Sequence, residues 1–309
     1  MPAKNKTFKF ESFSSQICKI KVDILNQPRN VTELDEYDSY FTESLENWVE
    51  LNCTFHFTNF YYEVRNYSSS FVHIVHHQKT IIQILIKHLS VEGSMALEPL
   101  LDLLIQLARD LQTDFYPYFY IFFDVMVKLL KSQLHYNAGI CVDHLKFLFS
   151  TLSYLIKYLW RYLVKDIIEL YNYYILLFDK DQNVNITRFA AESFTYLARK
   201  VKFPRELINH MHNKAFENEK NLHQGTAMII SETIKGVNGD IHTKGLQFIK
   251  VLLETLNAPE DKVEKQGCVF DIVYATFDNL KSYLTRNNFH HLATIFLKIS
   301  VHNYRCSLP

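Results

Sequence analysis

The sequence predicts an all-α protein, folded as a right-handed α-solenoid of helical repeats. Glycine and proline number only seven each among 309 residues, whereas sheet proteins need turn residues every 8–12 positions. Apolar residues recur at helical spacing almost continuously from Leu34 onward. Pairs of predicted helices repeat roughly every 40 residues, as in proteins built from stacked helical pairs. A compact helical bundle is the alternative, and it would need fewer and longer helices around one axis.

The first 32 residues are predicted to form a basic and aromatic amino-terminal arm, and residues 33–309 to form the helical repeat segment. Pro28 and Asn30 mark the break between the two, because both residue types favour turns. The lysines and phenylalanines of the arm are Lys4, Lys6, Lys9, Lys19, Lys21, Phe8, Phe10 and Phe13.

Each helix after the arm is predicted from its own apolar stripe. The predicted helices span residues 34–52, 55–67, 70–90, 96–112, 114–132, 138–160, 166–179, 184–202, 204–216, 220–235, 241–257, 261–281 and 285–302. Glycine and proline punctuate this series and support several of the boundaries. The residues concerned are Gly93, Gly139, Pro204, Gly236, Gly239 and Pro259.

The stretch "RFAAESFTYLARKV" (188–201) carries small residues where a core-facing helix normally carries large ones. Its apolar and small positions have helical spacing, and small side chains let a second backbone approach closely. The order of residues also matches a HEAT-type repeat, with an Asp in the turn, a Val soon after it, an Arg a few residues later, then small residues and a Leu. The matching residues are Asp181, Val184, Arg188, Ala190, Ala191 and Leu197. We predict that the Asp and Arg bond in a ladder between repeats while the small residues let the helices stack.

Composition limits the class of protein. Hydrophobic residues make up 48% of the chain, which excludes disorder over most of its length. Lys+Arg and Asp+Glu balance at 33 each, so the chain as a whole is not a nucleic-acid binder of the histone kind. The five cysteines include no C-x-x-C pair, and their odd number and largely apolar neighbours suit buried free thiols in a reducing compartment. The longest apolar run, 145–164, is interrupted by charges, and no secretory signal opens the chain. We therefore expect a soluble intracellular protein.

Two sets of side chains are candidates for chemical sites. His73, His76 and His77 share one helical face at a spacing that can hold a metal, but we interpret them as partly exposed helix residues. Asp102 and Asp110 lie eight residues apart on one side of a helix, although acid–base work would need one of them in an apolar cleft. Neither a phosphate-binding glycine loop nor a nucleophile elbow occurs. We predict a protein without enzymatic activity, cofactor or metal.

Basic residues are the remaining candidates for a site. On a helical wheel Lys146, Lys157 and Arg161 fall within about 60° of one another at 100° per residue. Lys165, Arg199, Lys200 and Lys202 follow in the next helices, and we call the whole set the basic ridge. The ridge can be interpreted as a surface that contacts RNA phosphates without reading sequence. The other interpretation, favoured from the sequence, is an ordinary solvated helix face.

Three stretches carry a more specific signal than periodicity. They are "PLLDLLIQLARDLQTDFYPYF" (99–119), "TLSYLIKYLWRYLVKD" (151–166) and "RFAAESFTYLARKV" (188–201). All three resemble, in order, the amino-terminal region of a eukaryotic family of very large HEAT-repeat proteins. That family belongs to the small-subunit processome and the U3 small nucleolar RNP, and is also called down-regulated in metastasis. "NWVELN" (47–52) and "HHQKTIIQIL" (76–85) are similar as well, and the resemblance weakens over 205–309.

The resemblance implies a nucleolar scaffold that supports pre-18S rRNA processing. It also implies processome proteins as partners, with pre-rRNA and U3 small nucleolar RNA contacted directly or indirectly, and neither a membrane nor a small-molecule substrate. Members of the family are several times longer, so we expect this chain to be a segment of a longer protein.

An adaptor that carries a peptide in a solenoid groove, as transport receptors and phosphatase scaffolds do, is the alternative function. Such a groove should show Asn and Trp at repeat-spaced positions on the inner helices. The chain has two tryptophans, Trp48 and Trp160, and they are out of phase. We interpret both as core anchors, which leaves the scaffold as the favoured function.

Overall fold

The computed structural model describes residues 8–21, 39–132, 138–178, 183–217, 220–256 and 263–306. Within these ranges the chain is helical, and an isolated β-bridge joins Lys235 to Ile241. The all-α prediction is confirmed for this part of the chain, while stacking into a right-handed solenoid stays a prediction. The helices group into two compact units, Met1–Tyr162 and Leu163–Pro309. The predicted domain boundary at residue 32 lies outside the described residues.

The first unit is built from seven helices in its described ranges. They are α1 (Phe13–Lys19), α2 (Tyr40–Leu51), α3 (Phe55–Val64), α4 (Phe71–Leu89), α5 (Leu97–Leu111), α6 (Phe119–Ser132) and α7 (Ala138–Leu163). Hydroxyl side chains at Ser12, Ser39, Thr54 and Ser70 each accept a backbone N–H of the following turn, which is why the first four helices begin there.

The first unit differs from the prediction most clearly in an additional helix and in a shifted helix start. The arm contains the short helix α1, which the sequence did not predict. The helix predicted from residue 114 begins at Phe119, because Gln112–Tyr118 forms a 3₁₀ segment with Pro117 inside it. Gln112 has a φ of 51°, a left-handed conformation that ends α5 abruptly. From the sequence, Asp114 after Thr113 would be expected to cap the next helix, but it lies within the 3₁₀ segment, five residues before α6 begins.

The contact between α2 and α5 depends on the buried carboxylate of Asp110. This side chain accepts hydrogen bonds from the Ser39 hydroxyl at 2.8 Å and from the N–H groups of Tyr40 and Phe41 at 3.1 and 2.9 Å. These donors lie at the amino terminus of α2, where intrahelical acceptors are missing and a negative charge is favoured. Asp110 thus caps a helix that lies 70 residues earlier in the chain.

A second aspartate of α5 fixes the other end of the same contact. Asp102 accepts hydrogen bonds from the Ser44 hydroxyl at 2.6 Å and from Trp48 Nε1 at 2.8 Å. Gln106 on α5 donates to the same carboxylate at 3.0 Å. The two carboxylates that share one side of the helix therefore act as acceptors for α2, and Trp48 is held by its N–H in a half-buried position.

The second unit is also helical throughout its described ranges. Its helices are α8 (Ile167–Tyr174), α9 (Val184–Ala198), α10 (Pro204–Glu217), α11 (Lys220–Ile234), α12 (Thr243–Leu256), α13 (Val263–Leu280) and α14 (Arg286–Cys306). Pro204 opens α10, where its missing N–H costs no hydrogen bond. Asn183 caps α9 by accepting the N–H of Asn185.

Helix α9 presents its small residues to a buried environment. Ala190 and Ala191 are 0% and 1% exposed, and Leu197 is fully buried. The helix packs against α8 and α11. Across the α8 contact, the hydroxyl of the buried Tyr174 lies 3.0 Å from that of Ser193, and burial raises the pKa of this tyrosine. The burial of small residues agrees with close helix packing.

Arg188, the arginine of the predicted Asp–Arg ladder between repeats, makes a local contact. Arg188 is exposed, and its Nε forms an ion pair with Glu192 one turn further along α9 at 2.9 Å. Asp181, the turn aspartate of the predicted ladder, lies outside the described residues. The ladder therefore stays a prediction.

Glycines allow still closer approach in the second unit. A β-carbon added to Gly225 of α11 would lie 2.7 Å from Cβ of Phe178, and one added to Gly245 of α12 would lie 2.6 Å from Cα of Ile234. Such distances are well inside van der Waals contact. The sequence showed a strong small-residue signal only at α9, so these two close approaches were not predicted.

Replacing Ala190 by Leu should lower the free energy of unfolding by about 1–3 kcal/mol, because the larger side chain would overpack a filled contact. Urea denaturation measures the change. Val184→Leu is the matched control, since Val184 lies on the same helix but is 76% exposed, and it should change stability by less than about 0.5 kcal/mol. Equal effects of the two substitutions would contradict close packing at Ala190.

Asp110→Ala should lower the free energy of unfolding by roughly 2–4 kcal/mol, because it strands buried donors at the start of α2. The exposed Glu46 of α2 provides the control, and Glu46→Ala should cost less than about 0.5 kcal/mol. Urea denaturation of both variants distinguishes a capping role from a general effect of lost negative charge. If Asp110→Ala lowered the free energy of unfolding no more than Glu46→Ala does, the capping role of Asp110 would be contradicted.

Candidate nucleic-acid interface

The first half of the basic ridge lies on α7. Five leucines of this helix, Leu148, Leu152, Leu155, Leu159 and Leu163, are buried, as the helical wheel predicts. Lys146 and Arg161 are exposed, and Lys157 is half-buried. The guanidinium of Arg161 lies 5.6 Å from the ring centre of Trp160, within the range of a cation–π contact. Helix α7 therefore has the predicted buried leucine face and a basic face on its other side.

Lys157 of α7 holds the amino-terminal arm through hydrogen bonds to the end of α1. Its ammonium group donates hydrogen bonds to the carbonyl oxygens of Ile17 and Ile20, both at 2.6 Å. These carbonyls lie at the carboxyl end of α1, where intrahelical donors are missing and a cation is favoured. The Lys157 charge is thus engaged by the backbone of the same chain, whereas a solvated helix face would leave it to water.

Further contacts hold the arm against α7. Ser153 Oγ donates to Gln16 Oε1 at 2.8 Å. The rings of Phe8 and Phe10 meet the ring of Phe149 edge to face, with centroids 6.0 and 6.4 Å apart. The favourable geometry of such aromatic pairs adds to the free energy of burial. The arm from Phe8 to Ile20 is therefore part of the folded first unit.

A cleft of about 230 Å³ lies where the arm meets α7. Its lining residues are Phe8, Lys9, Glu11, Gln16, Lys19, Ile20, Lys146, Phe149 and Ser150. Lys19 forms an ion pair with Glu11, and the Ser15 hydroxyl donates to the same carboxylate at 2.9 Å. The hydrogen bond from Lys19 is the main cause that lowers the pKa of Glu11, and Lys146 adds to it. The sequence singled out Lys146 but not this cleft.

The second half of the ridge belongs to the second unit. Arg199 donates hydrogen bonds to the carbonyl oxygens of Glu232 and Lys235, at the carboxyl end of α11. Burial lowers the pKa of Arg199 and also that of Lys200, whose ammonium lies 4.2 Å from the ring centre of Tyr196. Lys202 is exposed. Arg199 therefore plays the same part for α11 that Lys157 plays for α1.

The ridge is thus described in two parts. Lys146, Lys157 and Arg161 lie in the first unit, and Lys165, Arg199, Lys200 and Lys202 lie in the second. Lys165 is exposed at the turn that follows α7. Contact between these side chains and phosphate stays the less favoured of the two interpretations of the ridge.

The three histidines of α4 make local contacts. His73 Nδ1 lies 2.6 Å from the Ser69 hydroxyl, and its ring stacks on that of His77 with centroids 6.2 Å apart. His77 departs from helical geometry, with φ −101° and ψ 16°, so that α4 is kinked there. Among the described residues no group of three or more His, Cys, Asp or Glu side chains could hold a metal ion.

One constellation in the second unit could not be seen in the sequence. Cys268 Sγ lies 3.1 Å from His223 Nε2, and His223 Nδ1 lies 3.8 Å from a carboxylate oxygen of Asp271. The order Cys–His–Asp is that of a thiol nucleophile with its base. Burial is the main cause that raises the pKa of Cys268 to about 11, whereas a reactive cysteine needs a lowered pKa. This cysteine is therefore a buried thiol rather than an activated nucleophile. Cys18 and Cys53 are exposed, so the expectation of buried thiols was wrong for these two.

A histidine pair joins α3 to α4. The rings of His56 and His88 stack with centroids 5.0 Å apart, and His88 Nε2 lies 3.4 Å from a carboxylate oxygen of Glu63. Burial is the main cause that lowers the pKa of both histidines, and the charge of His88 lowers that of His56 further. Two neutral rings can stack without repulsion, so the pair favours a pH at which neither is charged.

The amino-acid sequence is 32% identical over 257 residues to U3 small nucleolar RNA-associated protein 20 of Schizosaccharomyces pombe. The aligned region covers 81% of this chain and 10% of that protein. It is 27% identical over 286 residues to the protein of the same name from Saccharomyces cerevisiae, covering 89% of this chain and 11% of that protein. The chain thus spans about a tenth of the length of these relatives.

The resemblance seen in the sequence is confirmed by these two relatives, whereas its location at their amino-terminal end stays a prediction. No family model matches the chain. Within the described ranges, no helix has the length and apolar character needed to cross a membrane.

The free energy of unfolding should decrease as the pH falls below about 6.5, the usual pKa of histidine in an unfolded chain. Because the folded pKa values of His56 and His88 are lowered, the unfolded state binds more protons between the folded and unfolded values. Each histidine contributes at most about 1.4 kcal/mol per pH unit. Denaturant titrations between pH 8 and pH 5 would measure the slope.

The double variant His56→Gln/His88→Gln should flatten that slope. Glu63 and Lys87, which face the pair, remain in place in this variant. His290→Gln is the control, because His290 is exposed. An unchanged slope in the double variant would show that other groups cause the pH dependence.

Proposed function

We propose that this chain is a segment of a U3 small nucleolar RNA-associated protein and that it serves the small-subunit processome as a non-catalytic scaffold. The observation that carries the proposal is the similarity to two proteins of that name over 81% and 89% of the chain. In this function the segment works in the nucleolus during pre-18S rRNA processing and small-subunit assembly. Its partners are processome proteins, and it meets pre-rRNA or U3 small nucleolar RNA directly or through them.

The roles of the chemical candidates support a function without catalysis. Asp102 and Asp110 are occupied as acceptors for α2. Cys268 lies beside His223 as a buried thiol with a raised pKa. These three candidates of the described ranges are therefore explained by packing or helix capping.

Exposed apolar side chains support a role in protein contacts. Leu51, Phe55 and Met95 are 74%, 82% and 66% exposed. They lie around one contact, in which Asn52 Nδ2 donates to the carbonyl oxygen of Met95 at 3.3 Å. Clustered large apolar side chains on a surface are typical of sites that bind other proteins, as a scaffold requires.

Affinity purification of the tagged natural protein tests its association with the particle. We expect U3 small nucleolar RNA to be enriched in the purified fraction, together with processome proteins and relative to a spliceosomal RNA. Purification instead with transport cargo or a phosphatase would favour the adaptor function over the scaffold.

Replacing the natural protein by variants tests the absence of catalysis. Depletion should make pre-18S rRNA accumulate, and both wild type and the variant Cys268→Ala should restore processing fully. His223→Gln should do the same, because neither side chain takes part in a reaction in this proposal. Thermal unfolding of each variant controls for loss of folding. A folded variant that fails to restore processing would overturn the non-catalytic scaffold.

A further inference from the structure

We propose that the cleft between the arm and α7 is a binding site for one nucleotide of single-stranded RNA. The site would place a phosphate near Lys9 and Lys146 and a base against the ring of Phe8, three of the residues that line the cleft. This inference deepens the proposed function and rests on it, because it names the chemistry by which this segment would meet RNA.

The charge of the cleft favours an anion. Three lysines and one glutamate line it, so its walls carry two net positive charges although the whole chain has a formal net charge of zero. A cleft whose walls share one sign concentrates the field of its charges and attracts a ligand of opposite charge. Glu11 neutralises Lys19 in an ion pair, which leaves the exposed Lys9 and Lys146 to meet the phosphate.

The aromatic wall favours a nucleotide over a simple anion. Phe8 is only half-buried, and its ring is braced edge to face by the buried Phe149 at 6.0 Å. Protein sites for single strands combine a basic groove with aromatic rings on which bases stack. An acidic peptide would use the lysines but would have no need of this ring, so the cleft suits RNA better than an acidic protein segment.

The dimensions of the cleft favour one unit of a strand. Its volume of about 230 Å³ is below the ~300 Å³ at which pockets begin to enclose whole drug-sized ligands. The Glu11 carboxylate and the Ser150 hydroxyl offer acceptors to a ribose hydroxyl, since both line the same space. A ribose hydroxyl distinguishes RNA from DNA at such a position.

The stability of the site comes from the docked arm. Lys157 bonds two carbonyls of the arm, and Ser153 bonds Gln16. The most deeply buried ring of the arm is Phe13, at 1% exposure. These contacts fix Phe8 and Lys9 against α7 before any ligand arrives. A preformed site loses less conformational entropy on binding than a flexible one.

Fluorescence anisotropy with a labelled 12-nucleotide RNA of mixed sequence tests the charge of the cleft, with the whole chain as the protein. The variant Lys9→Glu/Lys146→Glu should weaken binding by at least tenfold and make the salt dependence less steep, because it removes two phosphate contacts. The control Lys79→Glu/Lys250→Glu changes the net charge equally at exposed lysines outside the cleft. Equal loss in the two variants would mean general electrostatic attraction and would overturn the site.

A pair of aromatic substitutions tests base stacking. Phe8→Leu should weaken binding by roughly tenfold, as loss of one stacked base does, whereas Phe10→Leu should leave affinity unchanged. Both substitutions remove a ring that packs on Phe149, but only Phe8 lines the cleft. Thermal unfolding of the two variants shows whether the arm stays folded. Equal affinities of the two variants would overturn the stacking role.

Competition experiments identify the source of the anion. An unlabelled RNA should compete more strongly than an abasic phosphate backbone of equal length, and inorganic phosphate should compete weakly. Stronger competition by a polyglutamate peptide than by RNA would overturn the proposal in favour of an acidic protein partner.

Purification from cells separates the two proposals. If Lys9→Glu/Lys146→Glu loses RNA binding in solution but still purifies with U3 small nucleolar RNA, the cleft is supported and the segment is held in the particle mainly by protein contacts. If this variant bound RNA with wild-type affinity, the proposed RNA site in the cleft would be overturned and the proposed function would not. Failure of the wild-type protein to purify with U3 RNA would overturn the proposed function, while the measurements in solution would still judge the cleft.

Discussion

The unpaired polar groups at helix ends are the constraint on which this structure depends. Every helix leaves donors at its start and acceptors at its end, and burial is costly unless they find partners. Here a side chain from another helix repeatedly supplies the partner. Asp110 closes the start of α2, Lys157 closes the end of α1, and Arg199 closes the end of α11. Each bond fixes one helix against another, so capping and tertiary packing are achieved by the same contact.

This constraint also explains why the position of a basic residue on a helix does not by itself predict a binding surface. Lys157 and Arg199 belong to the predicted basic ridge, yet both donate to backbone carbonyls within their own unit. Lys146 lies on the same helix as Lys157 and is exposed. A helical wheel shows which side of a helix a charge occupies, but it cannot show whether another segment of the chain covers that side.

The sequence predicted most of the helices because apolar periodicity and capping residues are local signals. Ser70 and Asn183 begin helices at or next to the predicted positions. Helix α1 was missed because it is short and is stabilised largely by α7. The cleft was missed for the same reason, since Lys9 and Lys146 are brought together only by docking of the arm. Cys268 and His223 likewise meet across 45 residues of chain, a separation at which no local spacing can reveal a contact.

The docking of the arm on α7 has a consequence for the order of events during synthesis. The bonds from Ser153 and Lys157 reach residues 137 and 140 positions earlier in the chain. At ordinary rates of translation the ribosome needs on the order of ten seconds to make the intervening segment. The arm leaves the exit tunnel long before its partner exists, and during that interval its phenylalanines are available to chaperones. Completion of α7 is therefore the event that ends this interval and closes the first unit.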